Sequence, residues 1–142
     1  MTKTLPVPTL LSVTVFVRSG NYVLLMKRGA HRSHEPNKTC GVGGKVGHGE
    51  TILGTAVRET LEETGFELAP HQFTYRGTLI LDGYPEARWV GNLFEAWTNE
   101  RDVKQTDEGE LLWVPVDKAM DTNLMDDIHY YLPQFLNSSQ PI

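Results

Sequence analysis

Apolar and polar positions along this chain change rhythm several times, and each change marks an element. Leu10 to Val17 is apolar or alternating and rich in β-branched residues, and Tyr22 to Met26 repeats that texture after Ser19-Gly20-Asn21. The two runs predict strands joined as a hairpin. Lys27 to Lys38 is polar, holds Gly29 and Pro36, and predicts an exposed loop leading to a strand over Thr39 to Val42. From Thr51 to Thr64 the period lengthens: Leu53, Ala56, Val57, Thr60, Leu61 and Thr64 recur at helical spacing, which predicts an amphipathic helix with that stripe on the core. Thr51 suits its N-cap, and Gly65 followed by Phe66 suits a glycine stop with an apolar anchor. Strands return over Phe73 to Leu81, Arg88 to Thr98 and Leu111 to Val114, with Asp82-Gly83-Tyr84-Pro85 turning between the first two. A last amphipathic helix is predicted from Asp126 to Leu136, its end disturbed by Pro133. This order predicts an α/β chain with a mixed sheet between helices. One domain over residues 1–142 is expected, with a core from about 10 to 136 and a loose tail from 137 to 142.

The predicted helix carries unusual charge. At about 100° per residue, Glu59, Glu62 and Glu63 fall within an arc of roughly 100°. Like charges at such spacing cost a few tenths of a kcal/mol per pair and raise carboxylate pKa values unless a cation intervenes. Arg58 can reach Glu62 four residues on, but one arginine does not neutralise three glutamates. A hard divalent cation would, and magnesium prefers such oxygen ligands while sharing its shell with waters and phosphates. The alternative is a solvated acidic helix face, against which stand the glycine-rich approach, the arginine and Glu50.

Written out from Gly44 to Phe66, the pattern is Gly, five residues, Glu, seven residues, Arg-Glu, two residues, Glu-Glu, one residue, Gly, apolar. It resembles the Nudix box, and the chain from about Leu10 to Leu136 is similar to a Nudix hydrolase. The 23-residue motif matches at every position but one, Thr60, where the family prefers an aliphatic residue; that departure concerns packing rather than ligation. A motif fixing this many separated positions is highly specific.

The resemblance implies an α/β/α sandwich and a loop, helix, loop unit that binds magnesium or manganese and hydrolyses a diphosphate linkage. It implies Glu59, Glu62 and Glu63 as metal ligands, joined by a backbone carbonyl of Gly43 or Gly44. Glu50 and Arg58 would stand behind them, Arg58 orienting the carboxylates. Glu108, in the acidic turn before the strand Leu111 to Val114, lies where a further ligand often comes from; otherwise that turn is simply solvated. Attack by water on a polyphosphate needs its charge neutralised and the nucleophile held in line, and two or more ions could supply both. A glutamate would accept the water's proton, Glu59 or its rival Glu108.

Composition narrows the class. A chain of 142 residues with 39% apolar content is long enough for one compact core. The net charge of −5 argues against nucleic acid polymers as partners, since duplex binding needs a basic stripe. Cys40 is the one cysteine, which fits a reducing compartment, and no nucleophilic role is expected of it. No stretch has the length of a signal peptide's apolar region or of a membrane span, so the cytoplasm is the expected address, for a monomer or homodimer without membrane partners.

Recognition residues are sparser. Lys27, Arg28, His31, Arg32, His34 and Lys38 precede the box and Lys45 lies inside it, a local positive excess that could meet phosphates; Lys27, Arg28 and Lys45 are the chosen candidates. His48 occupies a free position of the motif and is given no role. Asn123 to Asp127, followed by His129-Tyr130-Tyr131-Leu132-Pro133, resembles the C-terminal part of MutT-type enzymes that remove oxidised purine triphosphates such as 8-oxo-dGTP. There an acidic pair reads the purine edge, which implies that role for Asp126 and Asp127; the alternative is a helix cap made of two aspartates. Thr39-Cys40 departs from the Trp-Asn those enzymes often carry, and a thiol cannot replace an amide's paired hydrogen bonds. His129 is expected to be half-buried packing.

The expected reaction is therefore magnesium-dependent hydrolysis of a non-standard purine nucleoside triphosphate to monophosphate and pyrophosphate. Alternatives are cleavage of ADP-ribose or a nucleotide sugar, and a nucleotide-sensing Nudix module without turnover.

Overall fold

The computed structural model describes residues 6–32 and 34–139. Seven strands form one mixed sheet: β1 (Thr9–Ser19), β2 (Tyr22–Arg28), β3 (Thr39–Cys40), β4 (Val42–Lys45), β5 (Phe73–Leu81), β6 (Arg88–Trp97) and β7 (Gly109–Pro115). Helix α1 (Ile52–Thr64) lies on one face and α2 (Asp126–Asn137) on the other, with short 3₁₀ turns at Pro70–Gln72 and Val116–Asp121. The order is β3-β2-β1-β6-β5, with β4 paired to β1 and β7 to β2. This is the expected α/β/α sandwich.

β1 organises the sheet. It runs parallel to β6 from Thr9 to Arg18, and its other edge is antiparallel to β4 over Ser12–Val15, then to β2 only at Arg18 and Ser19. A strand covered on both faces must be apolar on both, which explains the fully buried run Val15-Phe16-Val17. Val13, Val15 and Val17 join Leu24, Met26, Ala56, Phe66 and Phe94 beneath α1. Phe16 points the other way and joins Val23, Leu25, Ile128, Tyr131, Leu132 and Phe135 beneath α2. Alternation of period two therefore builds both cores from the same strands.

Several expectations are corrected. The strand predicted over Thr39 to Val42 is two strands broken at Gly41: Thr39 and Cys40 pair with β2, whereas Val42 to Lys45 pair with β1. The helical stripe of α1 is turned from the predicted one, because Leu53 and Leu61 remain 37% and 43% exposed while Thr55, Ala56, Thr60, Glu63 and Thr64 are buried. The reason is the partner: α1 packs on the glycine-containing strand β4, which turns Glu59 and Glu63 inward against Gly44 and Gly43 and leaves Leu53 and Leu61 outside. Pro133 lies inside α2 rather than ending it, since Tyr131 and Leu132 before it and Phe135 after it are buried and hold the helix through the missing N–H. His129 is exposed, not half-buried, because the core-facing stripe is Ile128, Tyr131, Leu132 and Phe135. The tail expected from residue 137 is helical at Asn137, and residues 140–142 lie outside the described residues. Among the described residues no helix is long and apolar enough to cross a membrane.

Candidate active site

Helix α1 begins where Thr51 Oγ1 accepts the Gly54 N–H at 2.9 Å and stops at Gly65, whose left-handed φ of 83° suits a residue without a Cβ. Between these caps, Arg58 gathers the acidic residues. Its Nε and Nη2 donate to the two oxygens of Glu50 at 2.6 and 2.8 Å, while Nη1 donates to Glu59 Oε1 at 3.0 Å and Glu62 Oε2 at 3.1 Å. Glu50 also accepts the Gly47 N–H at 2.7 Å, so the loop before the helix is tied to it through one carboxylate. The Arg58 hydrogen bonds, then that of Gly47, hold the Glu50 carboxyl down at about 2.

Glu63 is buried among these groups and differs from them. Its Oε2 accepts the Gly43 N–H at 2.9 Å, yet burial, with the charges of Glu59, Glu108 and Glu62, pushes the carboxyl up to about 8. Burial also raises Glu59, against the pull of Arg58. The approach needs bare backbone: a Cβ on Gly43 would lie 2.0 Å from the Val13 carbonyl oxygen, and one on Gly44 would lie 2.4 Å from Glu59 Oε1. Gly43 thus lets β4 lie close against the β1 backbone, and Gly44 lets it pass beneath the Glu59 carboxylate, which a larger residue would displace.

Carboxylate oxygens that outnumber the arginines opposing them suit a hard divalent cation better than a soft one. The cluster is not closed, however. Among the described residues no three carboxylate, histidine or cysteine groups meet at a common point. Glu62, 57% exposed, leans to Arg58, and Glu108, 55% exposed, pairs with Arg32 at 3.4 Å. To join Glu59 and Glu63 around a cation, these two exposed carboxylates would have to leave their arginines.

A cleft of about 1140 Å³ runs from these residues toward α2. It brings together Glu59, Glu63, Gly43, Gly44, Lys45, Glu108, Arg28 and Asp127 of the residues anticipated from sequence. Five candidates do not line it: Glu50, Arg58 and Glu62, which stand behind the acidic cluster, and Lys27 and Asp126. Lys27 points to the opposite face of β2 from Met26 and Arg28, which is what alternation demands of the residue between them. Asp126 is 91% exposed and paired with Lys38 at 3.2 Å on the outer side of α2. Asp127 stays inside: burial raises its carboxyl, although the Ile128 N–H donates to it at the start of the helix. The N-cap position itself is Met125, so the aspartates occupy the first turn rather than the cap. Burial pushes the Cys40 thiol, also in the cleft, up to about 11, which leaves it protonated and unreactive near neutrality.

Sequence reasoning overlooked two aromatic residues of this cleft, Tyr84 and Trp89, which stand at either side of the Pro85-Glu86-Ala87-Arg88 segment. Their signal was an aromatic pair flanking a turn, of which Tyr84 counts in sequence as a turn residue and Trp89 as part of the strand from Arg88.

A family model described as the NUDIX domain matches residues 8–135. The chain is 29% identical over 138 residues to an oxidized purine nucleoside triphosphate hydrolase from Danio rerio, an alignment covering 92% of this chain and 81% of that protein. Among solved structures it is similar to a MutT protein from Methanosarcina mazei Go1, with a TM-score of 0.80, 24% identity, and coverage of 93% of this chain and 96% of the other. It is also similar to a bifunctional NMN adenylyltransferase/ADP ribose pyrophosphatase from Francisella tularensis complexed with AMP and Mn ion, with a TM-score of 0.70, 20% identity, and coverage of 92% and 41%.

Proposed function

This chain belongs to the Nudix family of hydrolases, and from that premise we propose that it cleaves purine nucleoside triphosphates, oxidised purines preferred, to monophosphate and pyrophosphate. The observation that carries the proposal is a single cleft holding Glu59 and Glu63 beside the glycine strand and Asp127 beside α2. One part can take the phosphates and the other a base edge. The relative that acts on oxidised purine triphosphates supports the same choice.

In this reading Glu59, Glu62, Glu63 and a carbonyl of Gly43 or Gly44 hold magnesium, or manganese in its place, with Glu108 joining them. Bound there, the ion would neutralise the polyphosphate and lower the pKa of the attacking water. Arg58 holds Glu59 and Glu62 in position and is itself held by Glu50. Glu59, which lines the cleft beside Gly44, accepts the water's proton, with the exposed Glu108 as its rival. Lys45 and Arg28 line the path and meet the phosphates. Asp127, held toward its protonated form by burial, can donate as well as accept at the base edge.

The size of the cleft favours one second reading, a substrate with a group at both ends of its diphosphate, such as ADP-ribose. A panel of nucleoside triphosphates and dinucleotides assayed with magnesium separates the two. Pyrophosphate release from purine triphosphates, fastest with 8-oxo-dGTP, is expected. Turnover of ADP-ribose alone would replace the first reading by the second, and turnover of neither would favour a nucleotide-sensing module.

A further inference from the structure

The recognition end of the cleft has an edge reader in Asp127 but lacks an obvious flat surface on α2. The residues leading into that helix, Leu124 and Met125, carry no ring, and Leu124 is buried in the core. Flat surface comes instead from the turn between β5 and β6. Tyr84 lines the cleft half-buried, with its ring 4.5 Å from that of His34 and 6.5 Å, edge to face, from that of Trp89. Trp89 is braced in turn by the Lys45 ammonium, 5.7 Å from its ring centre.

Tyr84 thus touches two rings, a tilted His34 and an edge-on Trp89, and it stands within the electrostatic reach of Asp127. Burial, followed by the charges of Glu35 and Asp127, keeps its phenol protonated well into the alkaline range, so it faces the cleft as a neutral ring. It lines the same polar cleft as the edge-reading carboxylate of Asp127 and the cation of Lys45 at the end of β4.

We propose that Tyr84 is the platform on which the substrate's base stacks, positioned by His34 and Trp89, so that the β5–β6 turn sets the affinity for the base while Asp127 reads its edge. This rests on the nucleotide reading above and adds to it a specificity-determining residue. Stacking of a base on an aromatic ring is worth about 1–3 kcal/mol, so its loss should weaken base-dependent binding by roughly tenfold.

The test is direct binding of GMP, 8-oxo-dGMP and ribose 5-phosphate by calorimetry, for the intact chain and for Tyr84→Leu and Tyr84→Phe, with melting temperatures recorded alongside. The purine monophosphates should bind the unaltered chain more tightly than ribose 5-phosphate. Tyr84→Leu should lose about tenfold in that difference, with ribose 5-phosphate binding unchanged, and Tyr84→Phe should keep it. In the hydrolysis assay the loss should appear in KM rather than kcat. Equal weakening for ribose 5-phosphate, an unaltered purine affinity in Tyr84→Leu, or no preference for purines over ribose 5-phosphate in the unaltered chain would each overturn the proposal. Purine binding that depends on Tyr84 without any hydrolysis of triphosphates would leave stacking standing and sink the triphosphate reading instead.

Discussion

The two ends of the cleft are built in opposite ways. At the acidic end, Glu50, Arg58, Glu59, Glu62 and Glu63 come from one stretch of chain, and the Arg58 guanidinium ties three of the carboxylates together. At the recognition end, Asp127, Arg28, Cys40 and Tyr84 come from four separate segments brought together by the sheet. The first arrangement is fixed by one helix and its caps, so it tolerates little change. The second is assembled from side chains that can vary singly without disturbing the others, which is how one scaffold can keep its chemistry while changing its substrate.

This contrast can be broken most severely at the acidic end. Glu62→Gln should lower kcat by at least about a hundredfold for every substrate alike, the scale on which a preorganised charge-stabilising group acts; steady-state rates across the nucleotide panel check it, and an unchanged rate would remove Glu62 from the ligand set. Asp127→Asn should act differently, shifting the ratio of kcat/KM between purines by about tenfold, since edge hydrogen bonds discriminate on that scale, while leaving the magnesium dependence alone. Asp126→Asn should do neither. A uniform loss over all bases from Asp127→Asn would erase the distinction between the two ends.

Smaller effects sharpen it. The Glu63 carboxyl titrates near its ordinary 4.5 when unfolded and near 8 when folded. Between those values the folded chain keeps a proton that the unfolded chain has released, so rising pH favours unfolding. In EDTA the urea midpoint should therefore be lower at pH 8 than at pH 5, the raised carboxyls of Glu59 and Asp127 adding in the same direction. Glu63→Gln should reduce the difference, and a midpoint that rises with pH would contradict the burial argument. Smallest of all is Thr60, fully buried, whose hydroxyl has no hydrogen-bond partner among the described residues. Thr60→Val should raise stability by about 1 kcal/mol, the cost of a buried unsatisfied hydroxyl, without changing the rate; thermal melts would register it.

The same division governs what could be read from sequence. The bounds of α1 were legible because Thr51 and Gly65 are local signals, and the acidic stripe because its geometry depends only on helical pitch. The buried face of α1 was legible only in part: Ala56, Thr60 and Thr64 are buried as the stripe predicts, but Leu53 and Leu61 are exposed and Thr55 and Glu63 take the inner positions. The strand break at Gly41 depends on which neighbours each half finds, information held in β1 and β2 rather than in the segment itself. Lys27 and Arg28 look equivalent as charges, and only the side each strand residue faces separates them. Tyr84 and Trp89 gain meaning from His34 and Lys45, residues remote from them in the chain.

The break at Gly41 has an evolutionary corollary. Thr39 and Cys40 adjoin α2, to which Thr39 is bound through the Asn123 carbonyl and the Met125 N–H, while Gly43, two residues past the break, holds Glu63. One residue inserted or deleted between them would turn every following side chain over and swing the Gly43 N–H away from its carboxylate. Descendants of this chain can therefore explore new substrates by replacing residues in that segment, but its length is frozen.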